Sequence, residues 1–382
     1  MAPRINNFDD WVDYFHAWQQ EIGFPTELLE GFKFEAKYGN VPTEEILFGD
    51  YKGDKRWSKL LEVPDQRIRD ALQHLIVYQG DTEFASVEQQ RRLAATAPTD
   101  HDLQSLVRVM REEMRHGWQM CHLLVTHFGY SGRVEAQKQL ERRSWKGTRL
   151  LNSFNVDVDN WLDFFVYTEF IDRDGKFQLK MLSHSGFAPL AASMGPMLKE
   201  EAFHLGTGHT GLKRILKAGV IPIETMQRYF NKWIPTAYDL FGVDGSSSAE
   251  WSYVWGLKGR FDEDSNPAPP DKPNLNETAR VLYNEDITNH INALNYALPL
   301  DGPRLVVPDS RFNRAIGKHV NQPWSVSGET VLTEKYPAYL AANLPTESDK
   351  ALLADIFKEN NWIAPPTSHP GADTRAHSGS HS

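Results

Sequence analysis

The chain has a single cysteine, Cys121, which excludes an internal disulfide and a cysteine-based metal site. No run approaches the ~18 apolar residues of a membrane helix. The first residues, Met1 to Asp10, carry no apolar signal core, so the expected location is the cytoplasm. Positive charge is in deficit: 41 Lys and Arg stand against 51 Asp and Glu, a net charge of -10, which argues against a nucleic-acid partner. A P-loop, a GxGxxG fingerprint and a Ser-His-Asp arrangement are missing as well. The remainder is ordinary globular composition, 40% hydrophobic and 24% charged, with 11 Trp to supply a large core.

Apolar residues recur at helical spacing through most of the chain. The pattern predicts a short helix over 9–20 and irregular coverage up to 65. Long helices follow over 66–95, 101–128, 159–183 and 188–218, with a charged helix at 133–144. More helices are expected at 222–241, 246–260 and 276–298, while Arg304-Leu305-Val306-Val307 reads as a strand. The Pro-rich residues 266–273 read as a linker, and 367–382, rich in Ser, His and Gly, as a disordered tail.

Two of the long helices carry the same signature. Glu113-Met114-Arg115-His116 and Glu201-Ala202-Phe203-His204 are both E-x-x-H, and of the 14 histidines only these two have Glu three positions before them. Residues at i and i+3 share a helix face, so a carboxylate and an imidazole can approach one ion together. Two such motifs, with one lone carboxylate from each of two further helices, make the di-metal site of ferritin-like bundles. Residues at one level of a helical hairpin are equidistant from its turn. The position midway between Glu83 and Glu113 is Pro98, and midway between Asp172 and Glu201 lies Ser185-Gly186, both turn signals. Glu83 and Asp172 are therefore the candidate lone carboxylates, Asp172 preferred narrowly to Asp174. A calcium-loop reading of Asp172-Arg173-Asp174-Gly175 fails, because its twelfth position is Ser183.

The expected fold is mainly α: a ferritin-like four-helix bundle over 66–260, a covering segment over 1–65, and an irregular, partly helical C-terminal extension over 261–366 packed on the bundle. Glu88 reads as a surface residue, and Glu112 and Arg115 as ion-paired groups pointing away from the site. Gly206 and Gly208 mark close helix approach, room for substrate, or packing. The one dense basic cluster, Arg142, Arg143, Lys146 and Arg149, reads as a solvated loop or as a contact for the phosphates of an anionic substrate. Carboxylate and imidazole donors suit iron or manganese. Reduced di-iron sites activate O2, and with no cysteine cluster or flavin or nicotinamide fingerprint here, an oxygenase of this kind needs electrons from a separate reductase.

Several segments resemble the oxygenase component of the benzoyl-CoA 2,3-epoxidase family. They are Gln79-Gly80-Asp81-Thr82-Glu83 on to Arg91, Glu112-Glu113-Met114-Arg115-His116, Asp172-Arg173-Asp174-Gly175 on to Leu179, and Glu200-Glu201-Ala202-Phe203-His204. Gly256-Leu257-Lys258-Gly259-Arg260, Asp239-Leu240-Phe241-Gly242 and Asn361-Trp362-Ile363-Ala364-Pro365-Pro366 extend the similarity. The resemblance implies that Glu83, Glu113, His116, Asp172, Glu201 and His204 bind two iron ions, with Gln79 beside the site. It implies O2 as co-substrate, electrons from an external NAD(P)H-dependent reductase, and an aromatic substrate such as the CoA thioester benzoyl-CoA. Gly117 and residues 205–208 depart from the bulkier residues expected after each motif. The leading expectation is ring epoxidation of an aromatic acyl-CoA by a di-iron monooxygenase. The alternative is a di-iron hydroxylase or N-oxygenase acting on another aromatic or an arylamine. An iron-storing bundle and a purely structural set of ion pairs are the readings from other classes.

Overall fold

The computed structural model describes residues 5–265 and 275–366, and their regular structure is helical, with β pairing limited to isolated bridges. Helix α1 (Phe8–Glu21) leads through an irregular stretch to a hairpin of α2 (Gln66–Gln90) and α3 (Asp100–His127), which α4 (Gly129–Glu141) extends. A second hairpin, α5 (Trp161–Leu182) and α6 (Ala188–Ala218), completes a ferritin-like bundle. Beyond it lie α7 (Ile223–Leu240), α8 (Ser247–Val254), α9 (Leu275–Asn295), α10 (Tyr336–Asn343) and α11 (Glu347–Ile356). No helix among the described residues is long and apolar enough to cross a membrane.

Local chemistry sets the bundle's ends. The side chains of Asp65, Thr99 and Asn160 accept hydrogen bonds from Arg67 N, Asp102 N and Asp163 N, capping α2, α3 and α5. Helix α6 stops at Gly219, whose φ of 68° suits only glycine at low cost. The two hairpins pack on each other through α3 and α6, the helices that carry the E-x-x-H motifs.

Both flanks are tied to this centre. Trp11, Phe15 and Trp18 of α1 surround the ring of Phe84, and burying an aromatic such as Phe15 contributes roughly 1.5–3 kcal/mol. That ring occupies the place of a side chain at Gly117, where a Cβ would lie 2.5 Å from Phe84 Cζ. The chain after α1 is pinned where Trp57 N donates to Gly186 O and Ala188 N to Trp57 O. On the C-terminal side, the Arg214 guanidinium of α6 joins Asp102 (2.6 Å) and Ala364 O (2.6 Å).

Three expectations are corrected. Residues 304–307 form no strand: the side-chain amides of Asn295 and Gln227 satisfy the backbone of Leu305 and Val306 instead. Helix α8 ends at Val254 rather than near 260, because the chain reverses at Gly256 (φ 69°) and Gly256 O accepts from Gly186 N. Glu88 is fully buried, not at the surface: Trp18 Nε1 donates to it, and Arg149 lies against it at 2.8 Å. The Pro-rich stretch 266–273, residues 1–4 and the tail 367–382 lie outside the described residues.

Candidate metal centre

Glu83 comes from α2, Glu113 and His116 from α3, Asp172 from α5, and Glu201 and His204 from α6. All six are buried, none more than 6% exposed. One donor atom each from Glu83, Glu113, His116 and Glu201 lie within 4.8 Å of one another, and so do donors of Glu113, Asp172 and His204. Glu113 belongs to both groups. His116 Nδ1 is 3.3 Å from Glu83 and 3.7 Å from Glu201. His204 Nδ1 is 3.3 Å from Glu113 and 3.4 Å from Glu201.

These donors are poorly satisfied by the protein alone. His116 Nδ1, His204 Nδ1, Glu201 Oε2 and Asp172 Oδ2 are buried without a hydrogen-bond partner. Burial and the neighbouring Glu83 push the Glu113 carboxyl well above its usual range, and burial with Glu201 does the same to Asp172. Burial opposes charge on both imidazoles, yet the surrounding carboxylates outweigh it and raise His116 and, further, His204. Four carboxylates in so small a volume repel one another. Two divalent cations would match their four negative charges and occupy the unpartnered lone pairs, so the donor set fits a di-metal centre.

Glu112, expected to point away from the site, instead meets one of its imidazoles, and Glu200 meets the other. His204 Nε2 faces Glu112 Oε2 at 3.1 Å, and His116 Nε2 faces Glu200 Oε2 at 2.9 Å. The glutamate preceding each motif thus orients the histidine of the other motif, leaving both Nδ1 atoms turned to the donor cluster. Arg108 holds Glu112, while Arg115 and Lys37 hold Glu200. Burial disfavours the Glu200 charge, but His116 and Arg115 outweigh it and bring its pKa down to about 2. The signal was the doubled pattern E-E-x-x-H in both helices. Glu112→Gln keeps an acceptor for His204 but removes the charge. It is expected to weaken the affinity of the centre for a divalent metal about 10–100-fold with the fold retained, as a chelator-competition titration would show.

Gln79, one turn before Glu83, donates from Nε2 to Glu83 Oε1 at 2.6 Å. A cavity of about 250 Å³ adjoins the centre, lined by Gln79, Glu83, Glu113, Asp172 and Glu201 together with Phe154, Ile171, Leu240 and Phe241. Tyr78, 45% exposed, also lines it, so the cavity reaches the surface. The described wall carries one cation, Lys258, which donates to Gln178 Oε1 at 2.6 Å, while Gln178 Nε2 donates to Asp174. Burial lowers the Lys258 ammonium to about 8 and raises the Asp174 carboxyl to about 7.

The basic cluster is not brought to this cavity. Arg143 and Arg149 are buried, Arg149 pairing with Asp81 (3.0 Å) and Glu88 (2.8 Å), and Arg143 with Glu21. Arg142 joins Asp81 at 3.3 Å, and Lys146 is exposed. Buried carboxylates of α2 take up the arginines that the sequence offered to an anionic substrate.

The profile of a family described as phenylacetic acid catabolic protein matches residues 61–263, a span that contains all six donors. Benzoyl-CoA oxygenase component B of Aromatoleum evansii is 36% identical over 376 residues, covering 85% of this chain and 79% of that protein.

Proposed function

Because this chain belongs to the phenylacetic acid catabolic protein family, in the branch of the benzoyl-CoA epoxidase oxygenase component, we propose that it is the oxygenase component of a di-iron monooxygenase. Its substrate is then an aromatic acyl-CoA thioester, benzoyl-CoA or a close relative, epoxidised on the ring. The observation that carries this reading is the shared lining: four of the six clustered donors face the same largely apolar cavity that opens at Tyr78.

Two irons held there would supply reductive activation of O2, one atom entering the substrate and the other leaving as water, with two electrons from a separate NAD(P)H-dependent reductase and two protons from solvent. The protein's own residues do the positioning. Glu112 and Glu200 fix the imidazoles, and Gln79 holds the Glu83 carboxylate through one oxygen. Phe154, Ile171 and Phe241 give an aromatic ring an apolar surface and exclude water beside the metals. Lys258, rather than the Arg142–Arg149 cluster, is the cation placed to meet a polar or anionic part of the substrate. Lys258→Met is accordingly expected to raise KM for the thioester about tenfold with little change in kcat, as steady-state kinetics would show.

The direct test is a single turnover. Iron-loaded protein is reduced without air and mixed with benzoyl-CoA and 18O2, and the products are weighed. Gain of one labelled oxygen atom is the expected result. Oxidation of the iron with benzoyl-CoA unchanged would remove the thioester assignment and direct the search to other aromatic acceptors.

A further inference from the structure

One turn before Asp172 on α5, the buried carboxylate of Glu169 meets two imidazoles that the proposed oxygenase chemistry leaves unused. His209 comes from α6 and His290 from α9. Glu169 Oε1 is 3.4 Å from His209 Nδ1 and 3.4 Å from His290 Nδ1, and the two Nδ1 atoms are 3.4 Å apart. The three donors form an equilateral triangle.

Hydrogen bonding does not account for that figure. Charge-assisted N–H···O bonds close to roughly 2.7–2.9 Å, and two facing Nδ1 atoms can share only one proton. A tetrahedral ion with bonds of ~2.1 Å to nitrogen and oxygen, in contrast, holds its donors ~3.4 Å apart. The triangle has the dimensions of one face of such a tetrahedron. We propose that Glu169, His209 and His290 form a mononuclear site for a divalent ion of the zinc class, distinct from the six-donor centre. Its fourth position is open to water, since the two imidazole side chains are 20% and 32% exposed.

Independent features support the site. Glu169 Oε2 is buried without a partner, so the carboxylate has spare capacity. Asp286 Oδ1 faces the other nitrogen of His290 at 3.6 Å, the kind of outer carboxylate that accompanies metal-bound histidines. Gly208 lets α6 approach α5 at this level: a Cβ there would stand 2.6 Å from Glu169 N. His209 follows directly and is thereby brought against Glu169. Arg173 is the group that opposes a cation, bonding Glu169 Oε1 at 3.1 Å; its charge is shared with Asp286 at 3.0 Å. An ion here would clamp α9 to the two helices that carry Asp172 and His204.

The test uses the full iron-loaded chain with His369, His377 and His381 replaced by Ala, which removes the tail imidazoles. Zn2+ binding is measured by equilibrium dialysis and Co2+ binding by its visible absorption. The expected result is one tight equivalent of Zn2+, with the intense bands of tetrahedral Co2+. His209→Ala and His290→Ala should each lower this affinity about 100-fold or more, with iron content unchanged. Equal Zn2+ binding and an unaltered Co2+ spectrum in both variants would overturn the proposal. Partly exposed His290 provides a variant that does not disturb the core, should His209→Ala fail to fold. Because the difference is read at residues outside the six-donor centre, the answer stands whether or not that centre proves to hold iron.

Discussion

His204→Ala is expected to eliminate oxygen insertion in a single turnover and to leave fewer than two irons per chain. The imidazole Nδ1 lies within 3.4 Å of both Glu113 and Glu201, so its loss removes a donor where the two halves of the centre meet. Even an outer partner of a metal ligand accounts for about 10–100-fold in affinity, so loss of the donor itself should reduce iron binding at least that much. Iron content by colorimetric assay and helicity by circular dichroism check the two parts. Two tightly held irons with full activity in His204→Ala would sink the assignment. Removing the metal from the unaltered protein has its own signature. His116, His204, Glu113 and Asp172 all have raised pKa values in the metal-free fold. The folded chain therefore binds more protons than the unfolded chain, and its stability falls as pH rises. The carboxyl share is lost above pH ~4 and the imidazole share above pH ~6.5. Glu83, held below its usual range despite burial by the His116 charge, works in the opposite direction at lower pH. Metal-free protein should thus melt at a lower temperature at pH 8 than at pH 6, and iron should flatten that dependence.

Arg149→Met is expected to cost about 3–5 kcal/mol of folding stability, a large share of the ~5–15 kcal/mol typical of a domain. Arg149 is buried and lies 3.0 Å from Asp81 and 2.8 Å from Glu88, two carboxylates that are themselves at most 1% exposed. Methionine fills much of the volume but leaves both charges underpaired, with Arg142 and Arg143 giving partial cover. Urea unfolding measures the loss, and adding Glu88→Gln to Arg149→Met should recover part of it. Lys146→Ala, a few residues away on the surface, should stay within about 0.5 kcal/mol of the parent. If Arg149→Met instead kept full stability while raising KM for a thioester, the basic cluster would be a substrate contact after all.

The contrast between Arg149 and Lys146 shows where sequence reading stops. Charge density along the chain is visible, but the carboxylates that neutralise it lie on α2, far away in sequence. Convergence of the six donors was legible because it needs only helix periodicity and the distance of each residue from a hairpin turn. The helix starts expected at 66 and 101 and the end expected at 218 fall within one residue of those observed, for a similar local reason. Glu112 and Glu200 escaped because their partners sit on the opposite hairpin, where no spacing rule within one hairpin reaches. Residues 304–307 hold a Leu-Val-Val run of strand-forming residues, yet side-chain amides rather than a neighbouring strand complete the backbone bonds of Leu305 and Val306. The Glu169, His209 and His290 triangle draws on three helices, one of them beyond the bundle, and has no signature in any one segment.

The crossed glutamates also bear on the order of events during synthesis. Each hairpin holds half of the donors, but the carboxylate that aims its histidine belongs to the other hairpin. A nascent chain that has folded only α2 and α3 therefore lacks Asp172, Glu201 and His204, and its His116 is free to turn. If the six residues hold two ions as proposed, complete binding has to wait until α6 has been made and docked, so loading would report on the finished bundle and a half-folded chain would offer a redox-active ion only half a site.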